Sequence, residues 1–305
     1  MQEALPLSWR WQSTPAIRKP YLLRTGPFTT RVDTEEPSLR ALHQWCYGMA
    51  SESEEHIIQF NVSVRNGPLL RRLFSPQVSF SSEGAAPFQP FPRDHAFPLF
   101  EWGLNWCIAT RAHQYLMLHS GSLERNGSAL LLPALPGSGK STLTAALAYR
   151  GWRLMSDEFS LVQLQSGLLH PIPRAVPLKN QSIDVIRKFA PEAALGPLFK
   201  RTRKGDVAHV RPPPDSLQRQ LETARPRWIV FPRYQANRPT RLTPMLKSMA
   251  FTRLAHNSFN YRLIGAMGFE RLSSLIRTCA CYSAEFSDLE DMVRTLTDLA
   301  SSDPG

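Results

Sequence analysis

The chain has 305 residues, of which 42% are hydrophobic and 10% aromatic, so a disordered protein is excluded and a sizeable core is expected. No apolar run approaches the roughly 18–20 residues that span a bilayer, and the N-terminus lacks the pattern of a secretory signal. We therefore expect a cytoplasmic protein without a membrane span. The four cysteines form no Cys-x-x-Cys pair, which favours buried thiols over a zinc site.

The net charge of +11 is concentrated in one part of the chain. Residues 171–241 contain 15 Lys and Arg against 5 Asp and Glu, together with 11 of the 26 prolines. This segment contains no recognisable nucleic-acid-binding motif, and its cations alternate with prolines instead of stacking aromatic side chains. We therefore expect no nucleic-acid partner, and we interpret the segment as a lid or cleft wall for an anionic ligand.

The first third of the chain is punctuated by proline. Residues 1–55 are predicted to be irregular apart from one helix over 38–50. Alternation of apolar and polar residues predicts strands over 56–66 and 77–81. The density of Pro and Phe from 84 to 98 predicts a linker without regular structure.

The remaining elements have clearer local signals. Helical spacing over 100–114 is followed by a strand over 115–124, which Asn126 and Gly127 join by a tight turn to an apolar strand over 128–132. This hairpin makes the neighbouring strand antiparallel, so a purely parallel sheet is not expected. The other predicted elements are helices over 141–149, 182–189 and 287–300, strands over 152–156, 159–163 and 228–231, and a largely helical region from 243 to 300.

A phosphate-loop pattern follows the hairpin. Residues 134–141 match it with Ala134 in place of the first glycine, between an apolar strand and a good helix former. Its glycines allow backbone N–H groups to converge on phosphate oxygens at a helix N-terminus. The pattern predicts that ATP and Mg²⁺ bind here, with Lys140 on the phosphates and Ser141 on the metal. The expected nucleotide contacts are Pro136, Gly137, Ser138, Gly139, Lys140, Ser141 and Thr142.

Three further side chains have suitable chemistry. Asp157 and Glu158 end a predicted strand shortly after the loop, where one carboxylate can hold Mg²⁺ and the other can accept a proton from a hydroxyl. His119 lies on the strand that the hairpin pairs with the phosphate-loop strand, within reach of the γ-phosphate. A solvated turn and a core histidine are the simpler alternatives.

Cations in the basic segment are candidates for contact with a triphosphate, whose transferring group spreads negative charge over three oxygens. Arg174 and Lys179 are preferred because they follow the carboxylate strand closely, and the further candidates are Lys204, His209 and Arg211. For each of them, a solvated surface position is the alternative.

The ordered set His119–Ser122, Ala134–Thr142 and Arg153–Glu158 resembles the catalytic domain of HPr serine kinase/phosphorylase. The resemblance is nearer to the HPr-kinase-related kinases found with exosortase or peptide-modification systems, and it covers residues 100–300. It implies an α/β fold with a P-loop kinase core, a mixed β-sheet like that of HPr kinase and PEP carboxykinase, and a helical C-terminal region. The matching downstream segments are Pro173–Asn180, Asp206–Pro213 and Ile229–Tyr234.

The resemblance also implies roles for individual residues. Asp157 would be the base that deprotonates the acceptor and a neighbour of the metal, Glu158 would assist with the metal, and His119 would contact the transferring phosphoryl group, while Lys140 acts on ATP. Glu158 replaces the second Asp of the family pattern, and the Glu-Ile-Arg-Gly signature of the bifunctional enzymes is absent. Phosphorolysis and HPr as acceptor therefore lack support. Homo-oligomers are suggested by the resemblance alone.

Together these features predict an accessory region, residues 1–95, and a catalytic domain, residues 96–300. The expected activity is an ATP- and Mg²⁺-dependent transfer of the γ-phosphate to a hydroxyl, a Ser or Thr of a protein or peptide acceptor. Two alternatives stay open. One is a nucleotide-binding regulatory or scaffold protein of a biosynthetic complex without phosphotransfer, and the other is a small-molecule kinase or carboxykinase-like enzyme.

Overall fold

The computed structural model describes residues 19–48, 57–68 and 74–302. Within these ranges the chain has a mixed α/β fold whose strands form sheets of five, eight and three strands. All four cysteines are free and buried, as expected. We find no helix in these ranges with the length and apolar composition needed to cross a membrane.

The five-stranded sheet contains a hairpin that the sequence did not predict. Its first two strands pair directly across a two-residue turn of Gly26, at φ +59°, and Pro27. Pro20 precedes the hairpin and Pro27 lies in its turn, so neither removes a ladder hydrogen bond. The prediction of an irregular segment before residue 55 is therefore wrong for this hairpin. The strands, in spatial order, are β1 (Tyr21–Thr25), β2 (Phe28–Thr34), β3 (Phe60–Asn66), β4 (Gln77–Ser82) and β5 (Phe91–Pro92).

Two helices, α1 (Pro37–Tyr47) and α2 (Ala96–Arg111), share one hydrophobic core with this sheet. The predicted linker over 84–98 is wrong in part, because β5 pairs with β4 and α2 begins four residues before the predicted start. Pro98 is compatible with the helix because it lies in the first turn, where backbone N–H groups have no intrahelical acceptor. The core continues across residue 95, and the domain boundary there stays a prediction.

The eight-stranded sheet contains the strand that leads into the phosphate loop. Its strands are β6 (Tyr115–Arg125), β7 (Ser128–Pro133), β8 (Arg153–Ser156), β9 (Phe159–Gln163), β10 (Leu169–His170), β14 (Arg225–Tyr234), β15 (Arg241–Pro244) and β16 (Ala280–Phe286). The phosphate-loop strand, β7, pairs with β6 in antiparallel fashion, as the hairpin predicts, and its other neighbour, β14, is parallel. The ladder order is β10-β9-β6-β7-β14-β16-β15, with β8 also paired to β6.

Alternate residues of β7 enter different cores, as expected for a strand with helices on both faces. Leu130 and Leu132 pack with α3 (Lys140–Ala148), α4 (Gln181–Phe189) and α8 (Leu289–Ser302). Ala129 and Leu131 pack with α6 (Lys247–His256) and α7 (Gly265–Thr278). The C-terminal region is largely helical, but β16 is a strand in its middle, paired in parallel with β14, which corrects that part of the prediction.

The basic, proline-rich segment contains strands and helices as well as loops. It contributes a small antiparallel sheet of β11 (Val176–Lys179), β13 (Gly205–Val210) and β12 (Phe199–Thr202), besides α4 and the short helix α5 (Pro214–Gln218). This sheet brings the end of β11 and the β12–β13 turn beside the phosphate loop.

Candidate functional site

The loop between β7 and α3 has the backbone that its glycines predict. Gly137 and Gly139 have φ values of +84° and +86°, which residues with a Cβ rarely adopt. The end of β14 lies against the loop, since the Tyr234 N–H donates to the Ser138 carbonyl at 3.0 Å. A Cβ at Gly139 would lie only 3.2 Å from the Cβ of Tyr234. The loop therefore leads into the N-terminus of α3 in the geometry of an anion-binding turn.

The two predicted carboxylates lie at an interruption between two strands. Ser156 of β8 pairs with Ser122, and Phe159 of β9 pairs with His119, so residues 157 and 158 stand opposite 120 and 121 of β6 outside both ladders. Gly121 lets α3 approach there, because a Cβ at this position would lie 2.4 Å from Thr144 Oγ1. The interruption between the two strands therefore lies close to α3.

Asp157 joins the two predicted phosphate-loop side chains. Lys140 Nζ donates to the Asp157 backbone carbonyl and to its Oδ1 at 3.1 Å. Ser141 Oγ donates to the Asp157 Oδ2 at 2.8 Å. Lys140 and Asp157 are 8% and 4% exposed, so this ion pair is buried. Three residues singled out from the sequence are thus brought into direct contact.

Glu158 and His119 form a second, more open pair, with 3.7 Å between Oε2 and Nε2. The turn after α6 fixes the position of the His119 backbone. The backbone N–H of His119 donates to the Asn257 carbonyl at 2.8 Å, and Asn257 Nδ2 donates to the His119 carbonyl at 2.7 Å. The ring of Phe259 lies 5.5 Å from the imidazole. This pair stands next to the Lys140–Asp157 pair.

The charges of the site set the protonation of the second pair. Burial and the charge of Lys140 lower the pKa of His119, and the nearby carboxylates offset this only in part. Burial raises the pKa of Glu158, but the charges of nearby cations, Lys140 first and then Lys204 and Lys179, outweigh it and hold that pKa below its usual value. At neutral pH, Glu158 is therefore ionised and His119 neutral.

Two cations of the basic segment complete the cleft above the loop. Lys179 and Lys204 line it, together with Asn180 and Ser182, and its volume is about 670 Å³. Lys204 Nζ lies 4.6 Å from the centre of the Trp102 ring. Burial lowers the pKa of Lys204, and the charge of Glu158 partly opposes that change. The cleft thus combines lysines with the backbone of the loop, as an anionic ligand requires.

The structure does not bring Arg174 to this cleft. Its guanidinium donates to the Glu101 carbonyl at 2.7 Å and to the Glu101 carboxylate at 3.1 Å, and it also contacts the Asn105 side chain. Tyr47 Oη donates to the same carboxylate at 2.9 Å. Through these hydrogen bonds, Arg174 links the segment after β10 to α2.

Two other cations of the segment also lie outside the cleft. His209 is buried against the rings of Phe97 and Phe199, where burial, with the charge of Arg174, lowers its pKa to about 3. Arg211 lies over the ring of Trp45. Neither lines the cleft above the loop.

A narrow inner slot lies behind Glu158, between α2 and the three-stranded sheet. It shares Glu158, Lys179 and Lys204 with the cleft, and its inner volume is about 40 Å³. Trp102 and Asn105 of α2 form its far wall. The slot is wide enough for a few water molecules or one small side chain.

The buried ion pair of Arg174 gives a testable difference from Lys179. Arg174→Met leaves the Glu101 carboxylate buried without its cation, so we expect a loss of about 3–5 kcal/mol in the free energy of unfolding. Lys179→Met removes an exposed charge and should change that free energy by less than about 0.5 kcal/mol while weakening ATP binding. Urea unfolding measures the free energy of unfolding of each variant, and calorimetric titration measures its affinity for ATP. Equal stabilities would contradict a structural role for Arg174.

Some residues of the site had no local signal in the sequence. Asn257 and Phe259 belong to the turn after α6, about 140 residues beyond the strand of His119 that they contact. Asn180 and Ser182 reach the cleft only because β11 pairs with β13. Lys204, by contrast, is among the cations that the sequence indicates as candidates, and it does line the cleft.

The comparisons with known proteins do not assign the chain to a family. No family model matches the sequence, and no curated protein matches it. Among solved structures, the chain is similar to the Hpr(Ser) kinase/phosphatase from Coxiella burnetii at 12% sequence identity and a TM-score of 0.28, covering 61% of this chain and 99% of that one. A similarity at this level assigns no residue roles, so the roles proposed below rest on the contacts of the site.

Proposed function

We propose that this chain is an ATP- and Mg²⁺-dependent kinase that transfers the γ-phosphoryl group to a hydroxyl of a Ser or Thr on a protein or peptide. The observation that supports this most is the contact of Lys140 and Ser141 with Asp157 at the start of α3. Glu158 and His119 lie next to it, at the same interruption of the sheet. A cation, a hydroxyl and two carboxylates beside a phosphate loop are what phosphoryl transfer requires.

The oxygen atoms of Ser141 and Asp157 fit a magnesium ion. They lie 2.8 Å apart, close to the roughly 2.9 Å between neighbouring octahedral ligands at 2.0–2.1 Å from Mg²⁺. In the described ranges, no group of three or more His, Cys, Asp or Glu could hold a metal alone. Magnesium usually takes one or two protein ligands besides phosphate oxygens and water. When bound there, the ion would neutralise negative charge on the phosphates.

The contacts favour a division of roles between the carboxylates that differs from the one the resemblance implies. Asp157 is engaged by both Lys140 and Ser141, which suits a metal neighbour. Glu158 is ionised and has His119 at 3.7 Å, so its carboxylate is available to accept a proton. We therefore assign the base to Glu158 and the metal contact to Asp157. Neutral His119 orients Glu158, and Lys140 and Lys204 stabilise the charge of the transferring group.

The inner slot supports a small hydroxyl-bearing side chain as acceptor. Its inner volume of about 40 Å³ is far below that of a nucleotide, and Asp157, Glu158 and Arg174 are among the residues that line it. A serine or threonine side chain in the slot would bring its hydroxyl to the proposed base. The accessory region and α2 would then help to recognise the acceptor.

The fate of ATP tests this function against the scaffold alternative. The purified chain, incubated with ATP, Mg²⁺ and peptide mixtures containing Ser and Thr, should form ADP faster than without peptide. The same mixtures with Ser and Thr replaced by Ala are the matched control. ATP recovered intact from every mixture would favour a scaffold that binds nucleotide without transfer.

A further inference from the structure

A second groove lies on the other side of the phosphate loop from the cleft. It has a volume of about 790 Å³, and the loop residues 134–138 form a wall of both. Its remaining walls are the ends of β14 and β16 and one side of α6. The loop is thus accessible from two sides, only one of which faces Glu158 and His119.

The position of this groove is the one where α/β sheets bind ligands. β7, β14 and β16 run parallel, so their carboxyl ends, at Pro133, Tyr234 and Phe286, meet at one edge of the sheet. Ligands of open α/β sheets bind in the crevice outside these ends. The volume lies within the range of small-molecule sites.

The lining differs in chemistry from that of the cleft. Two aromatic residues, Phe231 and Tyr234, line the groove, and the Arg253 guanidinium lies 5.5 Å from the centre of the Phe231 ring. Thr252 Oγ1 donates to the Ser248 carbonyl at 3.0 Å and keeps its own lone pairs for an incoming donor. Flat rings, a planar cation and hydrogen-bonding groups suit a heteroaromatic base and a ribose. The cleft, by contrast, presents mainly the charges that suit phosphates and proton transfer.

We propose that this groove binds the nucleoside part, base and ribose, of the nucleoside triphosphate whose phosphates lie on the loop. The inference rests on the proposed function and adds the side of the loop from which the nucleotide enters. The acceptor then approaches from the opposite side, through the inner slot behind Glu158, so the two substrates reach the loop from different directions.

Binding of ATP compared with inorganic tripolyphosphate tests this placement, because the latter has the phosphates without the nucleoside. Thr252→Trp fills the groove from the exposed side of α6. In calorimetry with Mg²⁺ present, we expect its Kd for ATP to rise about tenfold or more and its Kd for tripolyphosphate to stay within about twofold of wild type. Arg253→Ala should also weaken binding of ATP while leaving binding of tripolyphosphate nearly unchanged. Met249→Trp, on the same helix outside the groove, is the matched control and should change neither.

The outcomes separate this inference from the proposed function. If wild type binds neither ligand, the proposed function fails and the groove assignment fails with it. If wild type binds both, but Thr252→Trp and Arg253→Ala change both affinities alike or not at all, only the groove assignment is overturned. The groove assignment is also overturned if Phe259→Ala, in the cleft, is the variant that selectively weakens ATP binding.

Discussion

Lys140→Ala is expected to lower kcat/KM for ATP by at least about 10²–10³-fold, because a buried cation aimed at the transferring phosphoryl group is removed. Lys140 is 8% exposed and in contact with Asp157, so water cannot easily replace its charge. The measurement is steady-state ADP release together with calorimetric ATP binding. Wild-type ATP affinity and turnover in this variant would rule out the phosphate-loop interpretation.

A folding control is needed because Lys140→Ala leaves the buried carboxylate of Asp157 unpaired. Breaking a buried ion pair costs about 3–5 kcal/mol of unfolding free energy. The double variant Lys140→Ala with Asp157→Asn removes both charges and should recover much of that stability without recovering ATP turnover. A double variant that regains activity along with stability would show that Lys140 serves the fold alone.

Glu158→Gln is expected to lower the rate of transfer to the acceptor by about 10²–10⁴-fold, because the amide cannot accept the hydroxyl proton. Its affinity for ATP should stay within about threefold of wild type, since Lys140 and Ser141 make their hydrogen bonds to Asp157 and not to Glu158. Single-turnover transfer and calorimetry measure the two quantities separately.

Asp157→Asn is the matched variant at the neighbouring carboxylate. It should weaken binding of ATP in the presence of Mg²⁺ much more than binding without it, because Asp157 and Ser141 are the proposed metal neighbours. If Asp157→Asn abolishes transfer with unchanged metal dependence while Glu158→Gln transfers normally, the base is Asp157, as the resemblance implies, and our assignment from the contacts is wrong.

The elements that could be predicted from the sequence are those whose conformation is determined by residues adjacent in the chain. Asn126 and Gly127 have φ values of +52° and +79°, the backbone of a tight hairpin turn, and this turn alone indicates the antiparallel neighbour of β7. The phosphate loop is likewise contiguous, with a strand before it and a helix after it. In both cases the backbone preference of glycine is expressed in the pattern itself.

Elements that depend on distant partners were missed. The strand Ala280–Phe286 has mixed polarity, and it is stabilised by pairing with β14 and β15, about 50 and 40 residues earlier in the chain. Arg174 resembled a phosphate ligand because it follows the carboxylates, but its partner Glu101 lies 73 residues away on α2. No sequence pattern contains these long-range contacts.

The positive charge of the basic segment has several uses rather than one. Lys179 and Lys204 face the cleft, Arg174 stabilises a buried contact, and Arg211 packs on an aromatic ring. The end of β11 and the β12–β13 turn therefore form part of the cleft wall, while Arg174 and Arg211 make contacts with other parts of the fold.

The proposed kinase activity is tested most clearly by following the γ-phosphate itself. The full chain, ATP labelled on the γ-phosphate, Mg²⁺ and a cell extract are incubated together, and mass spectrometry locates the label. We expect a phosphoester on Ser or Thr of a protein or peptide with wild type, and none above background with Glu158→Gln. Label confined to a nucleic acid or a small molecule, or the same labelled peptide formed equally by Glu158→Gln, would contradict it.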